Sequence, residues 1–318
     1  MRCFSLLLLL SFFFLNVAVT RSQVNRRLAI DHLNRGTKEL EMGDLDGALV
    51  DFNRAIELDR NYSAPYFNRG LVRRRQADYD GAISDFTKAI ELNPIAEAYL
   101  DRGATRKDKG DREGAIADYT KAIELNDKYA DAYYNRGIAL DDKDDHDRAI
   151  SDFTRSIELN PEQAKAFVGR GYARMRKGDP DGALTDYAKA IELNPRSFLA
   201  FYNRAFARKQ KGDLEGAIAD FTKALEIDEK DADAFYERGL LLGARGDLDG
   251  AISDFGQAIA LNPKNAKAYA NLGMIMLLRG QDAAAQKEFD AALKIDKGLN
   301  PELQNRINQI IKSRQSKP

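Results

Sequence analysis

The chain has 318 residues, 49 of them basic and 50 acidic, so there is no bulk positive field to draw in nucleic acid. Its single cysteine, Cys3, lies at the extreme N-terminus, which leaves the rest of the chain without a disulfide, a thiol nucleophile or a thiolate metal site. Charged residues make up 31% and Trp is absent, so a chain this polar must be held together by packing alone.

In chain order, the first segment stands apart. Arg2 supplies a positive start, and Phe4 to Val19 is apolar except for Ser5, Ser11 and Asn16. Ala18, Thr20 and Ser22 follow as candidate cleavage positions, so residues 1–22 read as a secretory signal peptide. The chain is then expected to be exported, periplasmic or secreted. The alternative is an uncleaved N-terminal anchor, since the run approaches a spanning length of about 20 residues. Arg21, Arg26 and Arg27 just beyond the run weaken the orientation argument for an anchor. No later run is long and apolar enough to span a bilayer, so the mature chain is expected to lack a membrane span.

From residue 29 onward the sequence repeats every 34 residues, with one spacing of 33. Eight repeats follow: Ala29–Tyr62, Ser63–Ile95, Ala96–Tyr129, Ala130–Gln163, Ala164–Ser197, Phe198–Asp231, Ala232–Asn265 and Ala266–Leu299. Position 8 is small throughout, from Gly36 to Gly273, with Ala205 in the sixth repeat. Position 20 is always Ala, and position 27 is Ala except at Ser156. Small residues at these spacings let two antiparallel helices approach closely. Position 24 is always aromatic (Phe52, Phe86, Tyr119, Phe153, Tyr187, Phe221, Phe255, Phe289) and is expected to fill the space between them. Position 4 is aromatic except at His32.

The turns are also legible. Gly43-Asp44 and Gly212-Asp213 show the pattern at positions 15 and 16: Gly ends one helix in the left-handed conformation and Asp caps the next. Asn-Pro at Asn93-Pro94, Asn160-Pro161, Asn194-Pro195 and Asn262-Pro263 stops the second helix. After the last repeat Pro301 starts a final helix, with Leu303, Ile307, Ile310 and Ile311 as one apolar stripe. Helix is expected from about Val24 to Arg314, with no strand. The domain reading is therefore 1–22 leader, 23–299 repeat array and 300–318 C-terminal capping helix and tail.

This pattern resembles the tetratricopeptide repeat family. The resemblance implies an all-α fold: a right-handed superhelical solenoid of eight helix pairs plus a C-terminal capping helix, each repeat touching only its neighbours. The sequence departs from the family in three ways. Position 7 is Arg in seven repeats, as in the triplets Asn34-Arg35-Gly36 and Asn135-Arg136-Gly137, where the family has an apolar residue. Position 11, usually Tyr, is Arg in four repeats. Gly fills position 19 in six repeats, where a helix former is expected.

Arg at position 7 travels with Asp at position 23, from Arg35 and Asp51 to Arg238 and Asp254, and the eighth repeat changes both, to Leu272 and Glu288. Two readings are open. One is a ladder of ion pairs fixing register between repeats. The other is an anion-binding stripe extended by Arg73, Arg106, Arg174 and Arg208. The resemblance also implies that positions 2, 5 and 9 line a concave face. There the sequence places Tyr134, Tyr172, Tyr202, Phe206 and Tyr236 as candidate partner-binding residues, since Tyr offers area with a polar tip. Some family members clamp a peptide's terminal carboxylate with Lys at position 5 and Asn at position 9. No repeat here has either, so that specificity is not transferred.

The acids Asp141, Asp142, Asp144, Asp145 and Asp147 around His146 lack the Gly and distal Glu of a calcium loop and read as solvated turn residues. Phosphate-loop, zinc-helix and nucleophile-elbow motifs are absent, so no catalytic residue, cofactor or metal is assigned. The expected function is a non-enzymatic scaffold or adaptor binding a protein or peptide partner, and no nucleic acid. The export signal together with the Asn-Arg-Gly repeats resembles bacterial envelope repeat proteins. The alternative is an envelope carbohydrate or anionic-polymer binder using the Tyr and Arg stripes.

Overall fold

The computed structural model describes the backbone of residues 2–315 and the side chains of residues 22–301 and 303–312. Among the described residues every regular element is a helix. The chain divides into two compact halves, Met1–Asn160 and Pro161–Pro318.

The N-terminal half holds four helix pairs. They are α1 (Arg2–Met42) with α2 (Leu45–Leu58), α3 (Ser63–Arg75) with α4 (Tyr79–Leu92), α5 (Ala96–Asp108) with α6 (Arg112–Leu125), and α7 (Ala130–Asp141) with α8 (His146–Leu159). The C-terminal half holds four more: α9 (Ala164–Lys177) with α10 (Pro180–Leu193), α11 (Phe198–Gln210) with α12 (Leu214–Ile227), α13 (Ala232–Arg245) with α14 (Leu248–Leu261), and α15 (Ala266–Leu278) with α16 (Asp282–Ile295). A short 3₁₀ turn, Lys297–Leu299, leads into α17 (Asn300–Gln315). In its helix bounds the structure differs from the sequence reading at α1. It does not start near Val24 but runs unbroken from Arg2, because the chain contains no Gly or Pro before Gly36 to stop it. The side chains that carry the leader reading lie outside those described. Among the described residues no helix is long and apolar enough to cross a membrane.

Each pair closes on its position-24 aromatic. Phe52, Phe86, Tyr119, Tyr187 and Phe221 are fully buried, and a Cβ added to the facing Gly36, Gly70, Gly103 or Gly171 would stand within 2.7–2.8 Å of the ring. The small residue at position 8 is therefore the condition for this approach. Ala205 holds the same place against Phe221 and is itself fully buried. The always-Ala position is equally tight: Ala48, Ala82, Ala115 and Ala149 have no exposed surface.

The turns explain the unexpected glycines. At position 15 the six glycines have φ between 76° and 94°, and Ala77 and Asp144 adopt φ 61° in the same place. The following Asp44, Asp78, Asp111, Asp179, Asp213 and Asp247 cap the next helix by accepting from the N–H of the position-19 Gly at 2.9–3.0 Å. A Cβ on that Gly would lie 2.1–2.8 Å from the capping carboxylate, so position 19 is Gly for contact and not for backbone freedom. The fourth repeat has Arg148 there, and its cap from Asp145 lengthens to 3.4 Å.

At the C-terminal end Leu303 of α17 is buried, and Ile307 and Ile310 pack with it against Ala270, Met274 and Leu277 of α15. Ile311, assigned to the same stripe from sequence, is 39% exposed.

Candidate binding surface

The Arg–Asp constellation resolves first. Arg69 donates from Nε and Nη2 to the two oxygens of Asp85 at 2.8 and 2.6 Å, and Arg102 does the same to Asp118 at 3.0 and 2.6 Å. The fork recurs at Arg35–Asp51, Arg136–Asp152, Arg170–Asp186, Arg204–Asp220 and Arg238–Asp254. These Asp carboxylates are 1–6% exposed. Position-4 rings face the same guanidinium, with Arg102 5.4 Å from Tyr99 and Arg204 5.5 Å from Phe201. Where His32 replaces the ring, its Nδ1 lies 2.8 Å from Asp51. The Arg35 fork holds the Asp51 carboxyl at about 2.

The position-11 arginines serve the same carboxylate. Arg73, Arg106, Arg174 and Arg208 each donate Nη1 at 2.8 Å to that repeat's Asp, and also to the carbonyl of the position-19 Gly. A third bond joins repeats: Nη1 of Arg102, Arg136 and Arg238 donates to Thr87, Thr120 and Thr222 of the preceding repeat at 3.0–3.1 Å. The ladder reading therefore holds and the anion-stripe reading does not. Arg69, Arg102, Arg136, Arg170, Arg204 and Arg238 are committed to internal carboxylates, with side chains only 12–19% exposed. In the eighth repeat Leu272 is buried and Glu288 has no Arg beside it, so burial raises its carboxyl instead of an ion pair lowering it.

The aromatic residues divide. In the N-terminal half Tyr134 is half-buried, its ring 5.9 Å from Phe153, and burial raises its hydroxyl. In the C-terminal half Tyr172 is 43% exposed on α9. Tyr202 stacks on Phe198 at 5.3 Å and meets Phe206 and Phe221 edge-on at 5.1 and 5.6 Å. Phe206 also meets Phe221, at 5.4 Å, and Tyr236 lies 5.9 Å from Phe255. Tyr202, Phe206 and Tyr236 thus use one face to cover the core and keep one face half-exposed. Burial pushes the Tyr202 hydroxyl up to about 12, aided by Asp231, Asp233 and Glu237 nearby. Lys209 bridges to Glu237 at 2.6 Å, and Asn271 Nδ2 donates to the Tyr236 hydroxyl at 3.1 Å. Those two bonds tie successive first helices together on this face.

Sequence reasoning missed two features. Asp101 fills position 6, where five repeats have Asn, and is pushed up to about 6 by burial against the opposing charge of Arg74. A cleft between α15 and α17 is lined by Tyr236, Lys267, Asn271 and Arg306; Arg306 belongs to a helix read only as a cap. The acidic turn is less solvated than read: Asp141 is buried with its carboxylate 2.7 Å from His146 Nδ1, and Asp145 caps α8.

Repeat models described as TPR repeat match residues 36–76, 103–144, 171–212 and 207–244. Models described as tetratricopeptide repeat match residues 63–95, 130–163 and 243–309. The chain belongs to the tetratricopeptide repeat family. Among solved structures, a tetratricopeptide repeat protein from Parabacteroides merdae is 22% identical over 79% of this chain and 99% of its own, with TM-score 0.60. The C-terminal part of a TPR repeat-containing protein from Cytophaga hutchinsonii is 21% identical over 74% and 97%, with TM-score 0.60. The pilF protein of Pseudomonas aeruginosa is 20% identical over 64% and 93%, with TM-score 0.58. At these identities the likeness concerns the fold, an all-α TPR solenoid. No curated protein sequence matches the chain. Within this TPR array the position-7 arginines take over, by ion pairing, the place that the family usually fills with an apolar side chain.

Proposed function

We propose that this TPR protein is a non-enzymatic scaffold that holds a protein or peptide partner on the first-helix face of its C-terminal half. The observation that carries this reading is Tyr172. A tyrosine 43% exposed, on the same helix series as the half-exposed Tyr202, Phe206 and Tyr236, gives a run of aromatic surface with polar tips. Polypeptide is favoured over an anionic polymer because Asp231, Asp233 and Glu237 surround Tyr202 and the Arg ladder is spent on internal carboxylates. Tyr134 extends the same class of position into the N-terminal half. We further propose that the apolar leader exports the chain to the cell envelope.

Tyr172 is the clean probe. Tyr202 contacts Phe198, Phe206 and Phe221, so its truncation removes packing as well as binding surface. A photo-crosslinking residue at position 172 would capture the partner in cells for identification. The identified partner should then bind Tyr172→Ala and Tyr202→Phe variants more weakly at unchanged melting temperature. Unchanged affinity in both would overturn the reading. N-terminal sequencing of the protein recovered from envelope and cytosolic fractions tests export separately.

A further inference from the structure

Each position-7 arginine that follows another repeat has one nitrogen to spare once Nε and Nη2 grip its Asp. In Arg69, Arg102, Arg136 and Arg238 that nitrogen, Nη1, donates to the position-25 side chain of the preceding repeat: Asn53, Thr87, Thr120 and Thr222, at 2.6–3.1 Å. The three threonines turn their own O–H to the carbonyl four residues earlier at 2.7–2.8 Å, so they offer the arginine a lone pair. Arg170 has Thr154 at the same place in sequence, and where Leu272 replaces the arginine, position 25 is Gly256. Arg204 breaks this pairing. It keeps the arginine, but position 25 before it is Ala188. Its Nη1 makes no hydrogen bond to a described residue.

The acceptor's place is open space. A cleft of about 380 Å³ between α10 and the α11–α12 corner is lined by Leu184, Ala188, Arg204, Arg208, Lys211 and Asp213. The three cations are spaced i, i+4 and i+7, so they share one face of α11 and its C-cap. Tyr202 lies two residues before Arg204, about 200° round the helix, so this cleft opens away from the aromatic face. Arg204 and Arg208 share Asp220, whose two oxygens take three donors at 2.7–2.8 Å. Lys211 bonds Asp181, and Asp213 caps α12 through the Gly216 N–H at 2.9 Å and lies 3.5 Å from Arg208 Nε. These contacts leave donors over: both N–H groups of Arg204 Nη1, those of Arg208 Nη2, and two on Lys211 Nζ. Three residues thus border one cleft with unused donors and an apolar floor of Leu184 and Ala188.

We propose that this cleft binds a tetrahedral oxyanion, phosphate or sulfate. One oxygen takes the place of the missing threonine hydroxyl on Arg204 Nη1, and others meet Arg208 and Lys211. A tetrahedral ion presents oxygens in several directions to donors on three residues, whereas a carboxylate has two in one plane. The site is single and not a stripe. Arg102, Arg106 and Lys109 repeat the three cations, but there Thr87 already fills the acceptor's place. The proposal does not depend on the partner-binding face.

The test uses the full chain labelled at alanine and leucine methyl groups, titrated with inorganic phosphate and with sulfate at constant ionic strength. Both should shift the Ala188 and Leu184 methyl signals saturably, with an affinity of roughly millimolar for so few atoms. Acetate should bind about tenfold more weakly. Ala188→Thr puts back the hydroxyl that other repeats carry and should melt no lower than the parent. Read at Leu184, it should lose phosphate binding by tenfold or more. Lys211→Gln should weaken phosphate about tenfold, as expected for one lost charge-assisted bond. Full affinity in either variant, or shifts that never saturate, would mark an adventitious ion only and overturn the site. Equal binding of acetate would overturn its assignment to a tetrahedral ion.

Discussion

Arg102 grips Asp118 across the third helix pair with Nε and Nη2 on separate carboxylate oxygens, at 3.0 and 2.6 Å, while its Nη1 reaches back to Thr87 of the second pair at 3.0 Å. One side chain thus fixes two relationships, helix to helix and repeat to repeat. Asp118 is 2% exposed and also receives Arg106 at 2.8 Å. Removing Arg102 as Arg102→Met leaves part of that buried charge uncompensated and should cost about 3 kcal/mol. The double variant Arg102→Met, Asp118→Leu should recover a large part of that loss, since it removes the buried charge together with its partner. Urea unfolding of the two single variants and the double gives the coupling; strictly additive effects would contradict the fork.

Asp101 sets the pH dependence. Its folded value of about 6 lies above the usual carboxylate range, with burial as the first cause, Arg74 opposing and Glu97 adding. The folded state therefore binds the proton more tightly than the unfolded state. The stabilisation this gives is fully present below about pH 4 and is lost as pH rises through about 6. Asp101→Asn, which restores the residue found at position 6 in five other repeats, should stabilise the protein by about 1–2 kcal/mol at pH 7.5. At pH 4 the two proteins should melt alike. A constant difference across this range would remove the titration from the account.

Ala77 occupies the left-handed turn at φ 61°, where six other repeats use Gly. A left-handed Ala costs about 1 kcal/mol, partly offset by the greater unfolded-state freedom of Gly. Ala77→Gly should raise stability by about 0.5 kcal/mol, and Ala77→Val should lower it by more than 1 kcal/mol, about what β-branching adds to the strain. Thermal melting of both variants checks the ordering Gly, Ala, Val.

Ala149 of α8 is fully buried. Ala149→Leu overfills this site and should cost about 1–3 kcal/mol. Lys143→Glu, on an exposed turn, should stay near about 0.5 kcal/mol. Equal melting temperatures would contradict the packing role.

The sequence by itself determined the repeat, the helix pairs, their turns and the capping helix. The pairs and turns follow local rules repeated along the chain: small residues at positions 8 and 20 and an aromatic at 24 in all eight repeats, and Gly-Asp at the turn in five. Copying makes a local preference visible, because chance does not keep seven positions in register. It also paired Arg with Asp but left open whether the pair was a structural ladder or an exposed stripe. Only the tertiary structure decided that, by burying the carboxylate between helices with both its oxygens taken by the guanidinium fork. The glycine at position 19 was misleading for the same reason: its cause is the nearby capping carboxylate, a contact that spacing along the chain does not reveal. Tyr202 and Tyr172 look alike as sequence letters, yet one ring covers Phe221 and the other stands exposed, since burial depends on neighbours brought in from other helices. The cleft at Lys267 and Arg306 depends most on folding. Its two cations lie on different helices, 39 residues apart in sequence, and no repeat pattern contains both.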